Sequence, residues 1–158
     1  MYMKILITSD THGYYVPISE YILSHDDIDL LIHAGDGIED VKNIYYETGI
    51  NYYTVKGNND YFSNESYDKI IEILNKKIFI THGHNYKIDY YFDKILEKSK
   101  NLKADITIFG HTHQYYNNYI DNILFLNPGS ISLPRDGNSG FMIMDISNEK
   151  FSLERVFL

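Results

Sequence analysis

The apolar residues of this chain fall into short β-branched runs, and over the first half these runs alternate with segments of helical spacing. Residues 3–8 form the first run, 28–33 the second and 51–55 the third, each of a length and Ile/Val content that predicts a buried strand. Pro17 can open a helix in which Ile18, Tyr21 and Ile22 recur at helical spacing up to about His25, and a second helix is expected near residues 40–47. From Asp68 the pattern changes. Residues 69–74 and 77–81 are two apolar runs around Asn75 and Lys76, which predicts a hairpin. A helix fits 90–100, and strands are expected at 106–109, 115–120, 123–126, 141–146 and 151–157, separated by Asp-Asn, Pro-Gly and Asn-Glu turn signals. Strands with helices first and hairpins later predict an α/β fold of four layers, an αββα sandwich of two packed mixed sheets flanked by helices.

Length adds one constraint: 158 residues with no linker, repeat or low-complexity tract suit a single domain over 1–158. With 44% hydrophobic and 23% charged residues the chain matches an ordinary globular protein. No window approaches the ~18 apolar residues of a membrane span, and the N-terminal run is too short for a signal-peptide core, so a cytoplasmic protein with no membrane partner is expected. The formal net charge of -8 argues against broad nucleic-acid binding, which needs clustered Lys and Arg. Cysteine is absent, which removes disulfides, thiolate zinc sites and cysteine nucleophiles together. Any metal must then bind through His, Asp, Asn or Glu.

Five of the seven histidines lie in three tight clusters, each just after an apolar run. In order the chain offers Asp10-Thr11-His12, Gly35-Asp36, Gly57-Asn58-Asn59-Asp60, Thr81-His82-Gly83-His84 and Gly110-His111-Thr112-His113. Loops at the carboxyl ends of strands are where an α/β scaffold presents side chains to a common crevice. Glycine beside a ligand permits a sharp turn, and Asp-x-His or His-x-His spacing on an extended backbone sends both side chains to one side. Nitrogen and oxygen donors without sulfur suit Mn, Fe, Zn, Ni or Co. Seven candidate donors exceed what one ion with open positions needs, so two ions sharing a carboxylate is the simpler solution.

In this order the five motifs resemble the signature of the calcineurin-like metallophosphoesterases, over roughly residues 5–130. Together with Asn127-Pro128-Gly129-Ser130 and Leu133-Pro134-Arg135, the chain is similar to the small single-domain phosphodiesterases of bacteria and archaea, a subgroup that includes the small scaffold subunit of the retromer coat. The resemblance implies that Asp10, His12 and His113 hold one divalent ion, that Asn58, His82 and His111 hold the other, and that Asp36 bridges. Manganese is the expected metal, with Ni, Fe, Zn and Co as alternatives. A hydroxide bridging the two ions would attack phosphorus in line, giving a phosphodiesterase acting on a small phosphate ester. A nuclease of the same superfamily and a non-catalytic scaffold are the alternatives, and self-association is left open.

One position departs from the pattern. Where much of the superfamily has a His after the liganding Asn, this chain has Asn59, whose amide can donate a hydrogen bond but not deliver a proton at neutral pH. Either good leaving groups are favoured or the acid comes from elsewhere, and His84 is the nearest candidate catalytic residue in sequence. His33 is expected behind the Asp36 loop, Asp60 to orient a neighbour, and His25 to be structural. Arg135 stays outside the catalytic set. The 16 tyrosines are assigned to packing and biased composition.

Overall fold

The computed structural model describes residues 1–158 as ten strands, three α-helices and a short 3₁₀ turn. In chain order these are β1 (Tyr2–Thr8), α1 (Val16–Ser24), β2 (Leu30–His33), α2 (Ile38–Thr48), β3 (Tyr52–Thr54), β4 (Asp68–Ile73), β5 (Lys76–Thr81), the 3₁₀ turn (His84–Tyr86), α3 (Asp93–Asn101), β6 (Ile106–Ile108), β7 (Tyr115–Ile120), β8 (Ile123–Pro128), β9 (Gly140–Ser147) and β10 (Phe151–Phe157). They form two five-stranded mixed sheets, ordered β10-β9-β1-β2-β3 and β4-β5-β6-β8-β7. No helix is long and apolar enough to cross a membrane.

The side-chain alternation of each strand explains the layers. Ile5, Ile7, Leu30, Ile32, Met142 and Met144 of the first sheet meet Ile78, Ile80, Ile106, Ile108, Leu124 and Leu126 of the second in one buried cluster between the sheets. The intervening residues point outward. Leu6, Leu31, Phe141 and Ile143 pack with Ile18, Ile22, Val41 and Ile44 of α1 and α2, while Phe79 and Phe125 pack with Ile95 of α3. Strands covered on both faces carry no polar alternation, which is why they read as continuous apolar runs.

The pairing that matters for function is parallel. β1 pairs with β2 and β2 with β3 in parallel, and so do β5 with β6 and β6 with β8. Five of these strands, β1, β2, β3, β5 and β6, are therefore followed by loops that carry the five sequence motifs.

Three expectations need adjustment. The β4–β5 hairpin turns at Leu74 and Asn75, one residue earlier than expected, with both at positive φ (48° and 67°) between the paired Ile73 and Lys76. This is the two-residue geometry whose twist suits a hairpin. The third helix begins at Asp93 and not at Tyr90, since Lys87 turns left-handed (φ 57°) and the backbone N–H groups of Tyr90 and Tyr91 both donate to its carbonyl. The second strand begins at Leu30: Ile28 is buried, but Asp29 uses its carboxylate to accept the Lys4 N–H.

Phe79 is fully buried between β5 and α3. Phe79→Ala should lower stability by about 3–5 kcal/mol, because the cavity cannot close around a rigid sheet. Urea denaturation would read this directly.

Candidate metal centre

Asp10 lies at the middle of the motif-bearing edge and is completely buried. Its Oδ2 accepts the Ser9 hydroxyl (2.6 Å) and the His111 N–H (3.0 Å). Its Oδ1 is buried with no hydrogen-bond partner and faces three imidazoles: His113 Nε2 at 3.1 Å, His82 Nε2 at 3.7 Å and His12 Nε2 at 3.8 Å. Asp36 comes in from β2, with Oδ2 3.3 Å from His82 Nε2 and 3.8 Å from His12 Nε2. Two groups of donor atoms, each within 4.8 Å of one another, result: Asp10, His12 and His113, and Asp10, Asp36 and His82. Asn58 and His111 stand beside the second group and touch each other, His111 Nδ1 lying 3.1 Å from Asn58 Oδ1, while the His111 and His82 rings are 5.1 Å apart. All seven expected donors thus meet at one edge.

The local backbone differs from the extended pairs expected from the spacing. Asp10, His12, Asp36, His111 and His113 all have positive φ, between 43° and 70°. Left-handed residues of this kind are uncommon and persist only where surroundings hold them. The consequence is divergence: His113 turns toward Asp10, whereas His111, two residues earlier, turns toward Asn58. Two motif glycines act through close approach alone. A Cβ on Gly57 would lie 2.1 Å from Asp36 Oδ1, and one on Gly110 would lie 2.1 Å from Ser9 Oγ and 2.6 Å from Asp10 Oδ2.

Protonation follows from these contacts. Burial pushes the Asp10 carboxyl up, but the facing His113, His12 and His82 outweigh it and hold Asp10 far below the usual carboxylate range. Asp36 is likewise held at about 2, as His82 and the two Asn59 donors overcome its burial. His82 Nδ1 lies 2.7 Å from the Ala34 carbonyl and His113 Nδ1 lies 2.8 Å from the Leu133 carbonyl. A carbonyl only accepts, so each Nδ1 carries a proton and each Nε2 is left to face the carboxylates. Buried Asp10 Oδ1 and His82 Nε2, both without a hydrogen-bond partner, are the feature a cation would complete, and the donor set fits a divalent ion of nitrogen and oxygen preference.

Behind the donors lies a set of braces that the motifs only partly announced. Fully buried His33 accepts the Gly35 N–H at Nδ1, so its Nε2–H donates to Thr11 Oγ1, which donates to Asp40 of α2. Asp40 also accepts the Gly13 N–H, tying the first loop to the second. Asp60 accepts the N–H groups of Asp36 and Gly57 at Oδ2 and of Gly37 and Ile38 at Oδ1, capping α2 from a neighbouring loop. Asn127 donates to the Gly110 carbonyl, and Ser130 and Ser132 donate to that of Asp10. His25 stacks on Tyr21, remote from the edge in sequence and contacts. Arg135 contributes its N–H to the His113 carbonyl.

Sequence reading missed Asp89. Its carboxylate lies 2.5 Å from His111 Nε2, which leaves Nδ1 directed at Asn58. No motif marks it; an isolated acid in Lys87-Ile88-Asp89-Tyr90 carries no spacing signal.

A two-sheet α/β sandwich with His and carboxylate donors on its parallel-strand loops defines the metallophosphoesterase class. This chain belongs to the calcineurin-like phosphoesterase superfamily, whose domain model matches residues 3–149. A probable metallophosphoesterase of Bacillus subtilis, YsnB, is 31% identical over 149 residues, covering 93% of this chain and 86% of the relative. A phosphodiesterase of Methanocaldococcus jannaschii is 29% identical, with coverage of 94% and 96%. The crystal structure of a predicted phosphoesterase from Streptococcus pneumoniae superposes with a TM-score of 0.85 at 27% identity, covering 99% of this chain and 90% of that one. Zinc-complexed Vps29 of Entamoeba histolytica, at 23% identity, covers 98% and 99% with a TM-score of 0.79 and shares the fold.

Two outcomes test the braces. Asp89→Asn should weaken divalent-ion binding by roughly 10- to 100-fold if His111 is a ligand, the usual effect of losing the group behind one, as read by calorimetric titration of metal-stripped protein. His33 is held neutral by burial, its pKa falling from 6.5 to about 4. The unfolded chain then binds a proton that the fold refuses, so the stability His33 supplies is full above about pH 6.5 and is lost as pH falls toward about 4. Urea midpoints compared at pH 7 and pH 5 should drop further in the wild-type protein than in His33→Asn.

Proposed function

We propose that the chain is a single-domain, metal-dependent phosphodiesterase in which Asp10, His12, Asp36, Asn58, His82, His111 and His113 hold two divalent ions. The observation that carries this reading is the meeting of two donor groups at one edge, with Asp36 Oδ2 near a histidine of each (3.8 Å from His12 Nε2 and 3.3 Å from His82 Nε2) and with Asp10 Oδ1 and His82 Nε2 buried without a partner. Asp10, His12 and His113 would hold one ion, Asn58, His82 and His111 the other, and Asp36, near both His12 and His82, would bridge. When bound, such ions lower the pKa of a water molecule to supply the nucleophile and offset charge on the phosphate. Manganese is proposed, with Fe, Ni, Zn and Co also compatible with the donors.

The chain's own residues prepare the site before substrate arrives. The carbonyls of Ala34 and Leu133 fix the tautomers of His82 and His113, so neither ring must reorganise to offer Nε2. Asn59 donates to both oxygens of Asp36, from its N–H to Oδ1 (2.8 Å) and from its side chain to Oδ2 (2.7 Å), which orients the carboxylate. Asn59 is thus a positioning residue and gives the leaving group no proton. His84 has its ring 5.4 Å from His82 and 6.1 Å from His111, with Nδ1 buried and unpartnered. Burial and those two neighbours lower its pKa to about 4, so at neutral pH it is a neutral imidazole. In this reading His84 offers a hydrogen bond to phosphate rather than a proton to the leaving group. A site without an acid favours leaving groups that depart as stable anions, such as aryl oxides, over alkoxides.

The nuclease alternative calls for a basic groove, and the cleft beside His12 and Asp36 has no Lys or Arg among its lining residues. A scaffold role has no need for the full donor set.

Metal-stripped protein reloaded with Mn should hydrolyse aryl phosphodiesters faster than matched monoesters. Asp36→Asn should reduce that rate by more than ~100-fold, exceeding the effect expected for a residue behind a ligand. Failure of every metal to restore activity would favour the scaffold. Asn59→His should raise activity on poor leaving groups at least ten-fold relative to Asn59→Ala, which loses the same side-chain contact to Asp36 without gaining an acid, the low end of what an added general acid supplies being ~100-fold; equal rates in the two variants would show that the proton is not limiting.

A further inference from the structure

A phosphodiester carries a second arm beyond the phosphorus, and that arm must rest on something other than the metal donors. Next to the donor cluster opens a cleft of about 340 Å³ lined by His12 and Asp36 together with Tyr61 and Phe62. Phe62 is fully exposed (101%) and Tyr61 is 72% exposed. Exposed aromatic pairs also occur at Tyr45-Tyr46 and Tyr90-Tyr91, but Tyr61 and Phe62 share their cleft with two of the proposed metal donors. The turn is held from several sides: the Asp60 carboxylate takes four backbone N–H groups, the Ser63 N–H donates to the Asp60 carbonyl, and Tyr61 Oη donates to Asn59 Oδ1 at 3.3 Å. Asn59 in turn grips Asp36. The aromatic pair is therefore mechanically continuous with a proposed metal ligand.

Charge narrows what could rest there. The lining acids Asp40 and Asp60 are engaged by N–H and O–H donors, Glu39 is paired with Lys42 at 2.8 Å, and no cation lines the cleft. A second phosphate would find no counter-charge. A flat, uncharged ring would find two aromatic faces and lose only water.

Resting on the phosphodiesterase reading, we infer that Tyr61 and Phe62 form a stacking subsite for an uncharged aromatic arm of the substrate, so that the diester carries an aryl or nucleoside group with no further phosphate. This assigns specificity to a turn that follows the Gly57–Asp60 motif and is not part of it.

The chain has no tryptophan, so Phe62→Trp introduces a unique fluorophore at the subsite. In the Mn-loaded protein, thymidine 5′-phosphate and phenyl phosphate should change this emission at concentrations where methyl phosphate and inorganic phosphate do not. By calorimetry, wild-type protein should bind thymidine 5′-phosphate roughly ten-fold tighter than methyl phosphate, a factor within the range of one stacked base. Phe62→Ala should erase that ratio, and should raise KM for bis(p-nitrophenyl) phosphate more than it lowers kcat. Equal binding of the two monoesters by the wild type, or a preference that survives Phe62→Ala, would overturn the inference. If ring preference is found without any diester hydrolysis, the subsite stands and the enzymatic reading falls; if hydrolysis is found without ring preference, the enzyme stands and the subsite falls.

Discussion

A carboxylate removed entirely from water is the constraint around which this edge of the molecule is organised. Asp10 is 0% exposed, and one of its oxygens has no hydrogen-bond partner. The effective penalty for burying such a charge is several kcal/mol, and it is tolerated only with compensating charge close by. Three imidazole nitrogens within 3.1–3.8 Å can supply it only when their rings are protonated, and divalent ions would supply it in their place. Remove the carboxylate and the convergence of loops from both sheets loses its centre: His12, His82 and His113 lie on loops after three different strands, and Asp10 Oδ1 is a carboxylate oxygen that all three approach.

Convergence of this kind needs stiffness. Left-handed backbone at five donor positions is sterically unfavourable locally, and it is held by hydrogen bonds that run between loops. His33, Thr11 and Asp40 join the first loop to α2, Asp60 joins the third loop to the second, and Asn127, Ser130 and Ser132 hold the fifth loop and the Asp10 carbonyl. None of these residues is a proposed metal ligand. Gly57 and Gly110 complete the arrangement by absence, since a methyl group would occupy the space of a site oxygen. The apolar layer between the sheets keeps the two halves of the edge in register, so that three loops from one sheet and two from the other face one crevice.

Much of the fold was legible because its strands are buried on both faces. Runs such as Ile5-Leu6-Ile7 and Ile78-Phe79-Ile80 have no polar alternation to confuse with surface, and the turns between them carry Asn, Asp, Gly or Pro. The ends of elements were less legible. Tyr90 and Tyr91 look helical by spacing, yet the left-handed Lys87 and the turn it creates delay α3 to Asp93. The donors themselves stood out, since closely spaced His, Asp and Gly after apolar runs are unusual. Their directions did not: the His-x-His spacing suggests a shared side, whereas positive φ at both residues sends His111 and His113 to different neighbours.

By itself, the sequence determined the architecture, the position of the chemistry at strand ends and the sulfur-free character of the donors, because burial periodicity and residue type are local properties of a chain. Only the tertiary structure decided that Asp10 belongs to both donor groups, that Asn59 holds Asp36, that Asp89 sits behind His111 and that Tyr61 and Phe62 wall a cleft beside them. Those relations join residues up to about a hundred positions apart, such as Asp10 and His111. They arise from the distance between two packed sheets and the angles at which loops leave them, and no spacing along one strand encodes either.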